Sequence, residues 1–214
     1  MTAVHWMRGI LESEYGVPHK SMEWFAEIDE DVAFTPPADL RLTRLPDTKS
    51  VETMLVEGEL DAVLHPDLIE PLLRKDKRVA RLFPDHKAEE MAYFRKTGIF
   101  PIMHVVAIRA DIVEKYPWAP TNLYRAFEAA KAIAMARMVN PRITPLAWYR
   151  EAWEEQQEIL GPDPWENGLT PRNRMTLETL ARYSHEQGLT RRLIPLDELF
   201  LDVSEGRKRG GFRI

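Results

Sequence analysis

Cysteine is absent from this sequence of 214 residues. Disulfide bonds, thiolate nucleophiles and cysteine-ligated metal centres are therefore excluded. Long apolar runs are also missing, because the longest uninterrupted runs fall far short of a bilayer span. Met1 is followed by a helix-like segment that carries His5 and Arg8, which is not a signal-peptide pattern. As written, the sequence predicts a cytoplasmic protein without a membrane span.

The sequence signatures of several common functions are missing as well. There is no glycine-rich phosphate loop, no G-x-S-x-G nucleophile elbow and no dinucleotide fingerprint. The net charge of −5, with scattered basic residues, gives no electrostatic case for binding nucleic acid. None of the six histidines pairs with another at a recognised metal-ligand spacing. Convergence of His65 and His104 on a metal stays open, but no metal site is predicted.

The first hundred residues alternate between helical and strand patterns. Helices are predicted at 3–15, ended by Gly16, and from Thr48 through Glu57, ended by Gly58. Strands are predicted where short apolar or alternating segments lie between turn signals, at 22–28, 40–45 and 61–65. This order of elements predicts one small α/β lobe.

A second pattern begins at Thr97-Gly98, a turn signal that leads directly into an apolar, β-branched segment at 101–109. Such a run predicts a buried strand. His104 lies in the middle of that strand. One interpretation makes it a site residue, and the other makes it a core histidine bonded to a backbone carbonyl. The segment alone favours the second interpretation.

Helical patterns dominate the remainder of the chain. Apolar faces recur at helical spacing over 121–139, 145–160 and 171–187. Thr144-Pro145 and Thr170-Pro171 each place a capping hydroxyl before a proline at the first helical position. Because these faces have only one predicted strand to cover, we expect exposed apolar surface and possible self-association.

Three segments together resemble the 4,5-dihydroxyphthalate decarboxylase family. They are Met1-Thr-Ala-Val-His-Trp-Met-Arg-Gly-Ile-Leu11, Thr97-Gly-Ile-Phe-Pro-Ile-Met-His104 and Arg182-Tyr-Ser-His-Glu-Gln-Gly-Leu189. The resemblance implies an α/β fold like that of type II periplasmic solute-binding proteins. It assigns 1–100 to the central α/β lobe and 101–214 to the helix-rich part of the other lobe. It also implies that the family's N-terminal segment is not in this sequence.

The resemblance implies the non-oxidative loss of one carboxylate from a small aromatic dicarboxylate, 4,5-dihydroxyphthalate, to give protocatechuate and carbon dioxide. No cofactor is required by this scheme. His104 is then the expected acid/base group, with His65 as a second candidate for proton handling. Arg8 is the expected clamp for a carboxylate, and Trp6 an aromatic wall beside it.

Each of these assignments has an alternative. Without the resemblance, Arg8 is better explained as a surface arginine lying over Trp6 or Met7. Thr48 and Ser50, at a helix start, are either part of an anion site or a plain N-cap. His65 could equally belong to a turn with a local imidazole hydrogen bond.

Two further functions compete with the decarboxylase. The fold implied by the resemblance is mostly a binding fold, so a solute-binding protein of an ABC-type transporter, without catalysis, is the first alternative. An inactive truncated fragment is the second.

Overall fold

The computed structural model describes residues 1–29 and 35–203 of the chain. The chain falls into two compact units. The first comprises Met1–Lys87 with Thr179–Ile194, and the second comprises Ala88–Glu178 with the chain from Pro195. The division at residue 100 that the resemblance implies concerns the lobes of a larger fold and stays a prediction.

Helices make up about half of the described residues. They are α1 (Thr2–Tyr15), α2 (Val51–Glu57), α3 (Glu70–Leu73), α4 (His86–Thr97), α5 (Ala110–Lys115), α6 (Ala119–Met138), α7 (Tyr149–Leu160), α8 (Pro171–Glu186) and α9 (Leu196–Leu199). A short 3₁₀ helix lies at His19–Ser21.

The sheet found in the described residues has two parallel strands. Strand β1 (Glu23–Ala26) pairs with β2 (Arg41–Arg44), with Trp24 opposite Leu42. Both strands lie where the sequence predicted strands. This small parallel sheet among many helices is compatible with the α/β class, and the type II binding-protein architecture stays a prediction.

The two other predicted strands, at 61–65 and 101–109, are wrong, since neither segment forms a strand. A strand requires a neighbour for its backbone hydrogen bonds, and residues 103–108 bond to no backbone group in the described chain. Val105 and Val106 are 63% and 62% exposed, so the segment is not buried either. The segment is apolar and β-branched, but in residues 1–29 and 35–203 no strand pairs with it.

Several helices begin or end at the predicted positions, where a glycine or a capping side chain sets the boundary. Gly16 and Gly58 end α1 and α2 in the left-handed conformation. Thr170 Oγ1 accepts a hydrogen bond from the Asn173 amide at the start of α8. The start predicted at Thr144-Pro145 is wrong, because a turn precedes α7.

The first unit is held together by helix α1 packing on the C-terminal half of α8. Tyr183 is 3% exposed, and its ring meets Trp6 edge-on with 5.8 Å between the ring centres. The Tyr183 hydroxyl lies 2.8 Å from Ser13 Oγ. Gly9 provides the space for this ring, since a Cβ at that position would lie 2.2 Å from Tyr183 Cδ2. This contact fixes the face of α1 that carries Arg8.

Candidate functional site

Arg8 is half-buried in the first unit and lies against an aromatic face. Its guanidinium carbon is 4.8 Å from the centre of the Trp24 ring, which comes from β1. The alternative interpretation placed this side chain over Trp6, but Trp6 is 1% exposed and packs on Tyr183. Trp24, which the sequence analysis did not select, is thus an aromatic neighbour of Arg8. Arginine side chains pack over aromatic faces and also bind carboxylates and phosphates.

Trp24 is fixed in turn by a buried histidine. Its indole Nε1 donates to the backbone carbonyl of His19 at 2.7 Å. His19 is 3% exposed, and its Nδ1 donates to the Glu12 carboxylate, also at 2.7 Å. Glu12 lies one helical turn after Arg8 on α1. The sequence contains no short motif that identifies Glu12, His19 and Trp24 as a group, because their contacts join three separate elements.

His5 forms a second polar network on α1. Its Nδ1 lies 2.8 Å from Gln187 Oε1, and the Gln187 amide returns a hydrogen bond to the His5 carbonyl at 3.0 Å. The His5 Nε2 lies 3.0 Å from Ser184 Oγ. Burial lowers the pKa of His5 below its ordinary value, and the positive charge of Arg8 lowers that pKa further. His5 is therefore a neutral, structural imidazole beside the Arg8 charge at pH 7.

Thr48 and Ser50 lie near the start of α2. Ser50 is the N-cap, and its side chain accepts from the Glu52 amide at 3.2 Å. The Val51 amide donates to the Glu27 carboxylate at 2.6 Å. A carboxylate of the chain itself thus takes the amide that an external anion would use. Ser50 has the contacts of the plain N-cap, and the substrate-binding role of Thr48 and Ser50 stays a prediction.

His65 lies on an exposed turn rather than at the end of a strand. Its Nδ1 accepts a hydrogen bond from the Asp67 amide at 3.2 Å. This is the local turn that was the alternative interpretation of the segment. The proton-handling role of His65 stays a prediction.

His104 belongs to the second unit and is exposed. It lines a cavity of about 870 Å³, whose walls are mostly apolar and include Leu123, Phe127 and Leu177. That volume lies within the range of small-molecule sites. Asn173 contributes polar character to the wall, and its amide donates to two backbone carbonyls of the 166–168 loop. The structure thus associates His104 with an apolar cavity, while the other predicted site residues lie in the first unit.

Two other kinds of feature are not found in the described parts of the chain. In residues 1–29 and 35–203, no three histidine, aspartate or glutamate side chains come together in an arrangement suited to a metal ion. No helix within those ranges has the length and apolar character needed to cross a membrane.

Comparison with known proteins supports the resemblance seen in the sequence. A curated 4,5-dihydroxyphthalate decarboxylase from Comamonas testosteroni is 29% identical to this chain over 212 residues. A second protein of that name, from Pseudomonas putida, is 28% identical over 101 residues, or 44% of this chain and 39% of its own length. No family model matches the chain.

The first of these matches covers 95% of this chain and 64% of the relative. The resemblance to proteins of this name is therefore confirmed, and the chain spans less than two thirds of the relative's length.

Proposed function

We propose that this protein is a carboxy-lyase that removes one carboxylate from 4,5-dihydroxyphthalate, or from a related aromatic carboxylate. The expected products are protocatechuate and carbon dioxide. The observation that carries the proposal is the similarity to a decarboxylase over 95% of the chain. The arginine held on an indole face supports it, because the substrate carries two carboxylates.

The chemistry of such a reaction is simple to balance. A ring hydroxyl para to the departing carboxylate donates electron density, and the ring carbon bearing that carboxylate takes up a proton. The bond from this carbon to the carboxylate then breaks, and its electron pair returns to the ring. One proton is consumed and one carbon dioxide is released. The protein must supply the proton, hold the retained carboxylate and limit access of water.

The residues of this chain divide between these tasks in the proposal. Arg8 binds the retained carboxylate through its N–H edge. His104 supplies the proton, and its ring is accessible to solvent beside an apolar cavity large enough for an aromatic ring. His65 is the second candidate for proton transfer. Trp6, Thr48 and Ser50 are assigned supporting roles in substrate binding.

A solute-binding protein without catalysis is the second candidate function. The observation that favours it is that neither proposed acid is oriented by a carboxylate in the described structure. His65 bonds to the backbone of Asp67, and within residues 1–29 and 35–203 no hydrogen bond is found for His104. An acid/base histidine is commonly oriented by such a partner.

One experiment with three ligands separates these functions. Purified protein is incubated with 4,5-dihydroxyphthalate, 4-hydroxyphthalate or phthalate, and carbon dioxide and the aromatic product are quantified from pH 5 to 9. Phthalate has both carboxylates but no para hydroxyl, so we expect it to bind without reacting. The two hydroxylated compounds should release carbon dioxide in a 1:1 ratio with product.

Two substitutions and one control assign the residues. Arg8→Ala should raise KM with little change in kcat, because a charge-assisted pair is lost. His104→Ala should lower kcat by roughly a hundred-fold or more. His185→Ala, at an exposed histidine bonded to the Thr190 carbonyl, should change neither constant. Binding of all three ligands without release of carbon dioxide would favour the solute-binding function. Full turnover by His104→Ala would remove His104 from the mechanism.

A further inference from the structure

Asn173 is buried and forms part of the wall of the apolar cavity in the second unit. The residue lies in the first turn of α8 and is 9% exposed. Leu123, Phe127 and Leu177 lie on the same wall, and the cavity of about 870 Å³ is large enough for a substituted aromatic ring. A buried polar side chain is costly unless its polar atoms have hydrogen-bond partners. The partners of Asn173 therefore indicate what this wall can bind.

Both hydrogens of the Asn173 side-chain amide are already used. Nδ2 donates to the Glu166 carbonyl and to the Gly168 carbonyl, each at 2.8 Å. Carbonyl oxygens only accept hydrogen bonds, so the nitrogen of the amide, rather than its oxygen, must face the 166–168 loop. The Asn173 backbone amide is held as well, because it donates to Thr170 Oγ1 at 3.1 Å. These contacts fix the amide plane and with it the position of Oδ1.

The side-chain oxygen of Asn173 is left without a donor. In residues 1–29 and 35–203 no N–H or O–H group donates to Asn173 Oδ1. This oxygen is also not one of the fully buried polar atoms of those residues that lack a partner, so it is open to an approaching donor. Because Asn173 lines the cavity and is otherwise enclosed by protein, the donor would approach through the cavity. The wall thus presents one acceptor of fixed orientation within an apolar surface.

An unpaired acceptor in an apolar wall selects ligands by the hydrogens that they donate. A ring without a donor would displace water from Oδ1 and return no hydrogen bond, which lowers its affinity. A ring that carries a hydroxyl replaces the displaced water with a hydrogen bond of its own. Sites built in this way reject analogues that lack the donating group. The proposed substrate has two ring hydroxyls, whereas phthalate has none.

We propose that Asn173 Oδ1 accepts a hydrogen bond from a ring hydroxyl of the aromatic ligand, and that Asn173 is a specificity-determining residue of the cavity. The choice of ligand rests on the proposed function. His104 lines the same cavity, so the hydroxyl contact and the proposed proton donor share one site. Neither the sequence motifs nor the resemblance assigned a role to Asn173.

Calorimetry with a matched pair of ligands tests the inference. Protocatechuate and benzoate each have one carboxylate, and they differ only in the two hydroxyls of protocatechuate. We expect the unsubstituted protein to prefer protocatechuate. Asn173→Leu should weaken protocatechuate binding by roughly 5-fold or more, because the hydroxyl is then buried without a partner, and benzoate binding by less than about two-fold. Asn122→Leu, at an exposed asparagine of α6 outside the cavity wall, is the matched control and should change neither affinity.

The ligand pair separates the hydroxyl contact from support of the loop. Asn173→Leu also removes both hydrogen bonds to the 166–168 loop, and a displaced loop would weaken both ligands alike. Equal weakening of protocatechuate and benzoate would therefore show a structural role and overturn the inference. Unchanged binding of protocatechuate by Asn173→Leu would overturn it as well.

A series of para-substituted benzoates gives a measurement that does not depend on the folding of Asn173→Leu. The hydroxyl of 4-hydroxybenzoate and the amine of 4-aminobenzoate both donate hydrogen bonds. The fluorine of 4-fluorobenzoate and the ether of 4-methoxybenzoate donate none. In the unsubstituted protein, the two donating ligands should bind more tightly than the two others. Affinities that do not follow the presence of a donor would contradict the inference.

Release of carbon dioxide distinguishes failure of this inference from failure of the proposed function. An Asn173-dependent preference for protocatechuate, without carbon dioxide from 4,5-dihydroxyphthalate, would remove the proposed reaction and leave the inference intact. Turnover with a preference that survives Asn173→Leu defeats only the inference. If the protein binds neither protocatechuate nor benzoate, the inference fails, and the release of carbon dioxide alone decides the proposed function.

Discussion

Substitution of Gly9 by alanine should destabilise the protein, although glycine is the poorer residue inside a helix. In an exposed helix interior this change stabilises by about 1 kcal/mol. Here the new Cβ would lie 2.2, 2.4 and 2.5 Å from three ring carbons of Tyr183. Ordinary van der Waals contact begins at 3.4 Å, so the ring or the helix must move by about 1.2 Å.

The Tyr183 ring has little space in which to move. It is 3% exposed, its edge meets Trp6, and its hydroxyl bonds to Ser13. Overpacking of a core costs about 1–3 kcal/mol, and loss of the hydroxyl contact adds about 1 kcal/mol. After subtraction of the gain in helix propensity, the net loss is about 1–3 kcal/mol. For a chain of this length each kcal/mol lowers Tm by about 2–4 °C.

Urea unfolding followed by circular dichroism measures the difference, and a double-mutant cycle identifies its cause. In a Tyr183→Leu background the ring is gone, so Gly9→Ala should become neutral or stabilising. The reasoning is refuted if Gly9→Ala raises the stability of the otherwise unsubstituted chain, or if its cost is the same in both backgrounds. Because Arg8, the proposed carboxylate ligand, precedes Gly9, the same displacement should also weaken the proposed binding of phthalate.

Two further predictions concern pH and association. The folded pKa of His5 is below its ordinary value of 6.5. The unfolded chain therefore takes up a proton at that site more readily than the folded chain. The free energy of unfolding should fall as pH drops from 6.5 through the folded pKa. His5→Gln should flatten this part of a urea-midpoint profile between pH 5 and 8, and an unchanged slope would contradict the assignment. The exposed apolar side chains of Val105 and Val106 should promote concentration-dependent self-association. Replacing both by lysine should reduce association in sedimentation velocity, whereas a monodisperse monomer before substitution would refute the expectation.

Local signals were sufficient for many element boundaries. Gly16 and Gly58 end their helices with φ of 66° and 78°, a region that other residues rarely enter. Thr170 caps α8 through a bond to the amide three residues later. In each case the interacting groups are separated by only a few residues, so a short stretch of sequence contains every group that sets the helix boundary. The strands at 23–26 and 41–44 were also predicted from their patterns, although their parallel pairing was not.

The site was less predictable than the helix ends. Arg8 was selected through the resemblance, but its aromatic partner was expected among its neighbours on α1. Trp24 takes that place because β1 and the 3₁₀ helix bring it across to α1. His19 and Glu12, which hold it, have no distinctive spacing. Contacts between separate elements leave no short-range signature, so a single sequence offers no pattern from which to find them.

Local sequence patterns were enough to place α1 and α8, the C-terminal end of α2, the two strands before residue 45, and the likeness to decarboxylases of 4,5-dihydroxyphthalate. Tertiary contacts determined which apolar segments form strands and which aromatic ring Arg8 packs against. The physical reason is the range of the interactions. A helix closes its hydrogen bonds within four residues, whereas the strand predicted at 101–109 required a neighbour that its own residues cannot specify.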